Sequence, residues 1–206
     1  MGTWDAFGRP NYLVTSDLVS TQLLSFIEKA LPQNIDLRTT NPQLLTNPAL
    51  ADIVIKKQSD VFITFVSGET AWSNSIAFYT YPTGKPPATP KDIRTITHIF
   101  PNAGDGTTLK AGDKVKIGRF AAGISIGFVL LTNAWNTTIK EVDNTADHFY
   151  TTDALNPEVE PSLKRHAVFT HYTYENKTLI GFENINRERP DCNHDFNDLI
   201  FYASII

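Results

Sequence analysis

Between Gly181 and Phe201 the chain reads GFENINRERPDCNHDFNDLIF, an oxygen-rich stretch set between two apolar runs. Asp191, Asn193, Asp195 and Asn197 recur at every second residue, Asp198 follows directly, and Glu183 stands at the close of the preceding run. Carboxylates this crowded raise one another's proton affinity, so they either stay open to water or enclose a cation. Oxygen-only donors select a hard ion. Ca²⁺ takes about 6 to 8 oxygens and mixes carboxylates, amide oxygens and backbone carbonyls, whereas Mg²⁺ demands stricter octahedral geometry. The expected ligand set is therefore Asp191, Asp195 and Asp198 for charge, Asn197 and Asn193 for neutral oxygens, and Glu183 closing the shell for Ca²⁺. The spacing is like the first half of an EF-hand, but Phe196 stands where that loop needs Gly, which excludes it. Cys192 and His194 raise zinc as a second option, against the need for about four soft or nitrogen ligands. A polar hairpin whose Asp and Asn cap their own backbone is the plain alternative.

Two strands must hold this loop. Residues 178–182 and 199–204 carry the β-branched and aromatic content of strands. Further strands are expected at 61–66, 75–81, 94–100, 114–120, 124–132, 148–151 and 167–175, with Gly, Pro, Asn and Asp between them. Nine or ten short strands without intervening helices predict an all-β fold, a β-sandwich or jelly roll. In residues 124–130, Ile124, Ile126, Phe128 and Leu130 share one face opposite Ser125, Gly127 and Val129, as for a strand covering a core on one side. One amphipathic helix is expected over 16–31, capped by Ser16 or Asp17 and ended by Pro32, its apolar face against a sheet. Residues 1–15 form an N-terminal segment, 34–50 an irregular linker, and 53–206 the sandwich carrying the acidic loop 183–198, all within one domain.

The motifs extend well beyond the loop. Gly181-Phe182-Glu183 followed by Asp195-Phe196-Asn197-Asp198 resembles the GFED…D-[FY]-ND signature of LruC-type domains of bacterial surface proteins. Phe65-Val66-Ser67-Gly68-Glu69, Asn74, the run Phe78 to Gly84, Leu109 to Asp113, Gly127-Phe128, Asn133-Ala134-Trp135 and Ala154 to Glu158 are similar to that family in order and spacing. Asn184 departs from the family's second acid, and Ser67-Gly68-Glu69 from its Ser-Glu-Gly order. The resemblance implies an all-β, calcium-dependent, extracellular or cell-surface module of adhesin-type proteins, in which the ion stands beside a peptide or glycan. Glu69, Asn74, Asn133 and Trp135 are then the expected ligand-binding residues, Trp supplying flat apolar area with an N–H donor.

Composition bounds the alternatives. The 206 residues are 41% hydrophobic with thirteen Phe, seven Tyr and three Trp, enough for one packed domain. A net charge of −4 offers no footprint for nucleic acid, and no apolar run is long enough to span a bilayer as a helix. Met1 is not followed by a signal-peptide pattern, as for a domain cut from a larger surface protein, and a monomer is expected. One cysteine excludes an internal disulfide. His98, His148, His166, His171 and His194 are scattered and no Gly-x-Ser-x-Gly elbow occurs, so the chain is not expected to be an enzyme. The catalytic alternative is a glycoside hydrolase pairing Glu69 with Glu183 or Asp195.

Overall fold

A computed structural model describes residues 2–46, 52–68 and 70–206. The fold is an antiparallel β-sandwich with a small helical part. Its six-stranded sheet runs in the order β1 (Leu13–Val14), β6 (Lys114–Phe120), β3 (Ser59–Ser67), β13 (Leu199–Ile205), β12 (Lys177–Phe182) and β11 (Ala167–Tyr172). The facing sheet runs β10 (His148–Tyr150), β7 (Ile124–Leu131), β4 (Ser75–Pro82), β5 (Thr97–Phe100), and the short β2 (Ile53–Val54) also pairs with β7. A two-stranded ribbon, β8 (Trp135–Asn136) with β9 (Glu141–Val142), lies outside both.

Period-two alternation builds the space between the sheets. Ile63, Phe65, Val115, Ile180, Phe182 and Phe201 from the larger sheet meet Ile76, Phe78, Phe100, Ile126, Phe128 and Leu130 from the smaller one in one apolar cluster. Removing this much apolar surface from water is the main driving force of the fold. The face of β7 that carries Val129 is not solvated, contrary to the one-sided expectation. Ala77, Tyr79, Val129 and Leu131 are covered by Ala134, Trp135, Val142, Tyr150 and Leu155. The β8–β9 ribbon and the loops after β10 thus give the smaller sheet a second apolar layer.

Helix α1 (Thr21–Ala30) covers the outer face of the larger sheet. Leu23, Ile27 and Leu31 pack with Val66, Leu179, Ile200, Tyr202 and Phe196. The helix starts at Ser20, whose hydroxyl accepts from Leu23 N at 3.0 Å, and not at Ser16 or Asp17. The reason is tertiary: Asp17 accepts from Lys114 Nζ, Thr64 Oγ1 and Tyr202 Oη, and its own N–H donates to Gly112 O. An extended segment satisfies those partners where a helix could not. The expected irregular linker contains two one-turn helices, α2 (Leu37–Thr40), capped by Asp36, and α3 (Gln43–Thr46); its residues 47–50 lie outside the described residues. Among the described residues no helix is long and apolar enough to cross a membrane.

Candidate metal centre

The acidic loop joins β12 to β13, neighbours in the larger sheet with Phe182 opposite Leu199. Glu183 therefore leaves the end of one strand as Asp198 enters the next. Backbone shape does the rest. His194 and Phe196 adopt left-handed φ of 57° and 58°, costly for non-glycine residues and tolerated where surrounding contacts over-determine them. His194 O accepts from Leu37 N at 3.0 Å. The Phe196 ring is fully buried beneath α1, and its carbonyl passes so close to Gly181 that a Cβ there would lie 2.4 Å from the oxygen. Only glycine admits that approach.

The result is a group of three carboxylates, Glu183, Asp195 and Asp198, whose oxygens lie within 4.8 Å of one another. They are 1%, 1% and 9% exposed. Glu183 Oε2 is buried with no hydrogen-bond partner. Burial first, then the charge of Asp198, close contact with its carboxyl and the charge of Asp195, hold Glu183 well above the ordinary glutamate range. Burial likewise pushes Asp198 up to about 6, against the opposing help of Glu183 and the Asn184 N–H, which donates to Asp198 Oδ2 at 2.9 Å. Asp195 is raised by burial although Asn34 N, Asn197 N and the Asn193 side chain donate to it. Groups that cannot all ionise together leave the site short of positive charge.

Asn197 adds a fourth oxygen. Its amide oxygen faces Asp195 Oδ1 and Oδ2 at 3.0 and 3.2 Å, where the reversed amide would donate a hydrogen bond to each. Oxygen set against oxygen at this range is what a shared cation produces. Two donors on opposite sides of an ion with contacts of about 2.4 Å stand about 4.8 Å apart, the span observed here. The donor set fits a hard divalent cation.

Two residues of the expected set take other roles. Asp191 is exposed and forms a bidentate ion pair with Arg189, at 2.9 and 2.7 Å. Asn193 points its amide nitrogen at Asp195 Oδ2, 2.7 Å away, while its oxygen accepts from Asp195 N; it steadies a carboxylate and has no oxygen turned to the group. Cys192 and His194 do not join either. Cys192 Sγ and Arg187 Nε both lie against His194 Nδ1, at 3.3 and 3.2 Å. Burial pushes the thiol up and, with Arg187 adding to it, pulls His194 down to about 4.

The expected ligand residues divide. Asn74 is buried, its Oδ1 accepting from Asn133 N at 3.0 Å. Trp135 is buried and meets Trp4 edge-on at 6.5 Å in the outer apolar layer. Asn133 is exposed with a left-handed φ of 50°. Glu69 lies outside the described residues.

Sequence reasoning overlooked a second buried polar network beside the loop. Arg187 is buried, its ring of partners being the carbonyls of Arg165 at 2.9 Å and Leu163 at 3.3 Å, the His194 ring and, across its plane, Phe196 at 4.9 Å. Glu158 Oε1 accepts from His166 Nε2 at 2.7 Å and from Arg187 N at 3.0 Å. These residues come from three separate segments, and their only shared signal was the Asn156-Pro157-Glu158 run. Asn156 explains that run: it exchanges hydrogen bonds with both backbone groups of Tyr150.

Residues 120–205 match a family model described as a domain of unknown function (DUF4114). The matched segment holds every carboxylate of the centre together with Glu158, His166 and Arg187. No curated protein and no solved structure matches the chain.

Proposed function

We propose that the chain is a calcium-stapled, extracellular β-sandwich module of a surface protein, of the LruC type its motifs resemble. One Ca²⁺ is held by Glu183, Asp195 and Asp198 with the amide oxygen of Asn197, and it ties the end of β12 to the start of β13. The observation that carries this reading is the convergence of three buried carboxylates within 4.8 Å, one with an orphaned oxygen. Water could not compensate such a group, because it is closed off from solvent. A divalent ion would neutralise the repulsion and cross-link the hairpin to the turn after α1, since Asn34 N donates to Asp195 at 2.7 Å.

Oxygen donors of mixed charge in an irregular loop favour calcium over magnesium, and the engagement of Cys192 and His194 with Arg187 disfavours zinc. The glycoside hydrolase alternative gains no support from Glu183 and Asp195, which are nearer together than the roughly 5 to 9.5 Å such pairs require and are closed to a sugar. The test is a calcium titration followed by melting temperature and by calorimetry on the wild type, Asp195→Ala and Asp198→Ala. Saturable calcium binding that both substitutions abolish is expected; a wild type indifferent to millimolar calcium would falsify the reading.

A further inference from the structure

Trp72 is the chain's third tryptophan and, unlike the other two, stands 40% exposed. Isolated exposed aromatics are ordinary; this one is held rigidly. Its carbonyl accepts from Asn74 N and Asp105 N at 2.9 and 3.0 Å, and its N–H donates to Thr70 Oγ1 at 3.2 Å. Gly104 sits against the same carbonyl, where a Cβ would be 2.0 Å from the oxygen. Ser73 links the neighbouring corners, its N–H donating to Asn133 Oδ1 and its hydroxyl to Asp105 O. Asn102, buried, donates to both Phe7 O and Asp105 O, so Phe7, 56% exposed, is fastened to the same loop. Two solvent-facing rings thus flank exposed Asp105 and Asn133.

The geometry points to the loops 67–74 and 102–107, with Trp72 at their crest, as a binding face for neutral glycans, anchored to the carboxylate centre through Asn184. A pyranose ring offers apolar C–H groups on its face and hydroxyls on its rim. A fixed indole beside a carboxylate and an amide complements both. The two loops contain no Lys or Arg, which disfavours acidic sugars. The anchor is a short chain of hydrogen bonds: Asn184 N donates to Asp198 Oδ2, its side chain donates to the Thr70 Oγ1 that also receives the Trp72 N–H, and its carbonyl accepts from Thr132, beside Asn133. This anchoring half rests on the calcium reading above.

The test probes the full chain on an array of immobilised neutral oligosaccharides and on a peptide array, in calcium and in EDTA, with melting temperatures in parallel. Neutral hexose glycans bound in calcium are expected, with binding weakened about tenfold or more by Trp72→Ala, retained by Trp72→Phe, and weakened by EDTA, Asn184→Ala and Thr70→Val. A melting temperature that responds to calcium in a protein with no neutral-glycan binding overturns the face and leaves the calcium reading intact. Hits confined to peptides also overturn it. Glycan binding indifferent to EDTA, Asn184→Ala and Thr70→Val overturns the anchor, whereas a chain deaf to calcium that still binds glycans through Trp72 upholds the face and removes both calcium reading and anchor.

Discussion

Glu158 and Glu183 are each 1% exposed and each leaves its Oε2 without a partner, yet their surroundings are opposite. At Glu158, burial favours the proton, but the hydrogen bond and charge of His166 and the Arg187 N–H outweigh it and hold the carboxyl below the ordinary range. At Glu183, burial is compounded by two further acids. The first glutamate is complete within the protein; the second is complete only with an added positive charge. The same residue type at the same depth is thus a structural tie in one place and a vacancy for an ion in the other.

The largest effect that would separate them is Glu158→Ala. It leaves His166 and the Arg187 backbone facing an apolar gap and is expected to cost about 3–5 kcal/mol, with and without calcium, by denaturant unfolding. A loss that calcium restores would blur the distinction. Next in size is the ligand effect: calcium at about a hundredfold its Kd should stabilise the wild type by about 2.7 kcal/mol, raising Tm by roughly 5–10 °C in a chain of this length. Asp198→Asn should abolish that rise in a thermal scan, while Asp191→Ala should keep it.

The pH dependence is smaller and has a definite sign. Raised folded-state pKa values mean that, without calcium, these acids contribute stability at low pH that is lost as pH rises through about 6 for Asp198. Calcium must displace those protons, so its stabilisation grows over the same interval. The Tm difference between calcium and EDTA should be small at pH 5 and approach its full value near pH 7.5. Asp52, which burial also raises to about 6, contributes to both conditions and cancels in the difference. A flat difference across this range would count against the carboxylates as ligands. Smallest is Glu183→Gln, which removes one repelling charge without loss of volume and should stabilise the calcium-free protein by about 1 kcal/mol. The same change at Glu158 should destabilise it, and equal signs would refute the contrast.

The loop's chemistry was legible because so many Asp and Asn between two strands cannot be core. Which of them converge was not. In an extended segment the alternate residues 191, 193, 195 and 197 would share one face with 198 opposite. The left-handed turns at His194 and Phe196 break that rule, bringing Asp195 to Asp198 and leaving Asp191 outside. Nothing local announces those turns, since neither residue is glycine; Gly181, which makes room for them, lies on another strand. The sandwich itself followed from strand spacing and alternation. The covered outer face of β7 did not, because Trp135 and Leu155 reach it from loops. The helix was readable, but its first turn was set by Asp17 bonding across to Lys114 and Tyr202, a contact between segments far apart in the chain.

Strand β13 lies between β3 and β12, with Ile205 opposite Val61. A chain emerging in order therefore holds β3 unpaired on that side until residues 199–205 arrive, and such late, long-range closure slows folding and leaves sticky edges exposed. Asp195 and Asp198 arrive with that last strand. A cation acting at this junction would hold the final seam of the sheet shut, so the moment at which the polypeptide first meets a calcium-rich medium would also be the moment at which its assembly becomes hard to reverse.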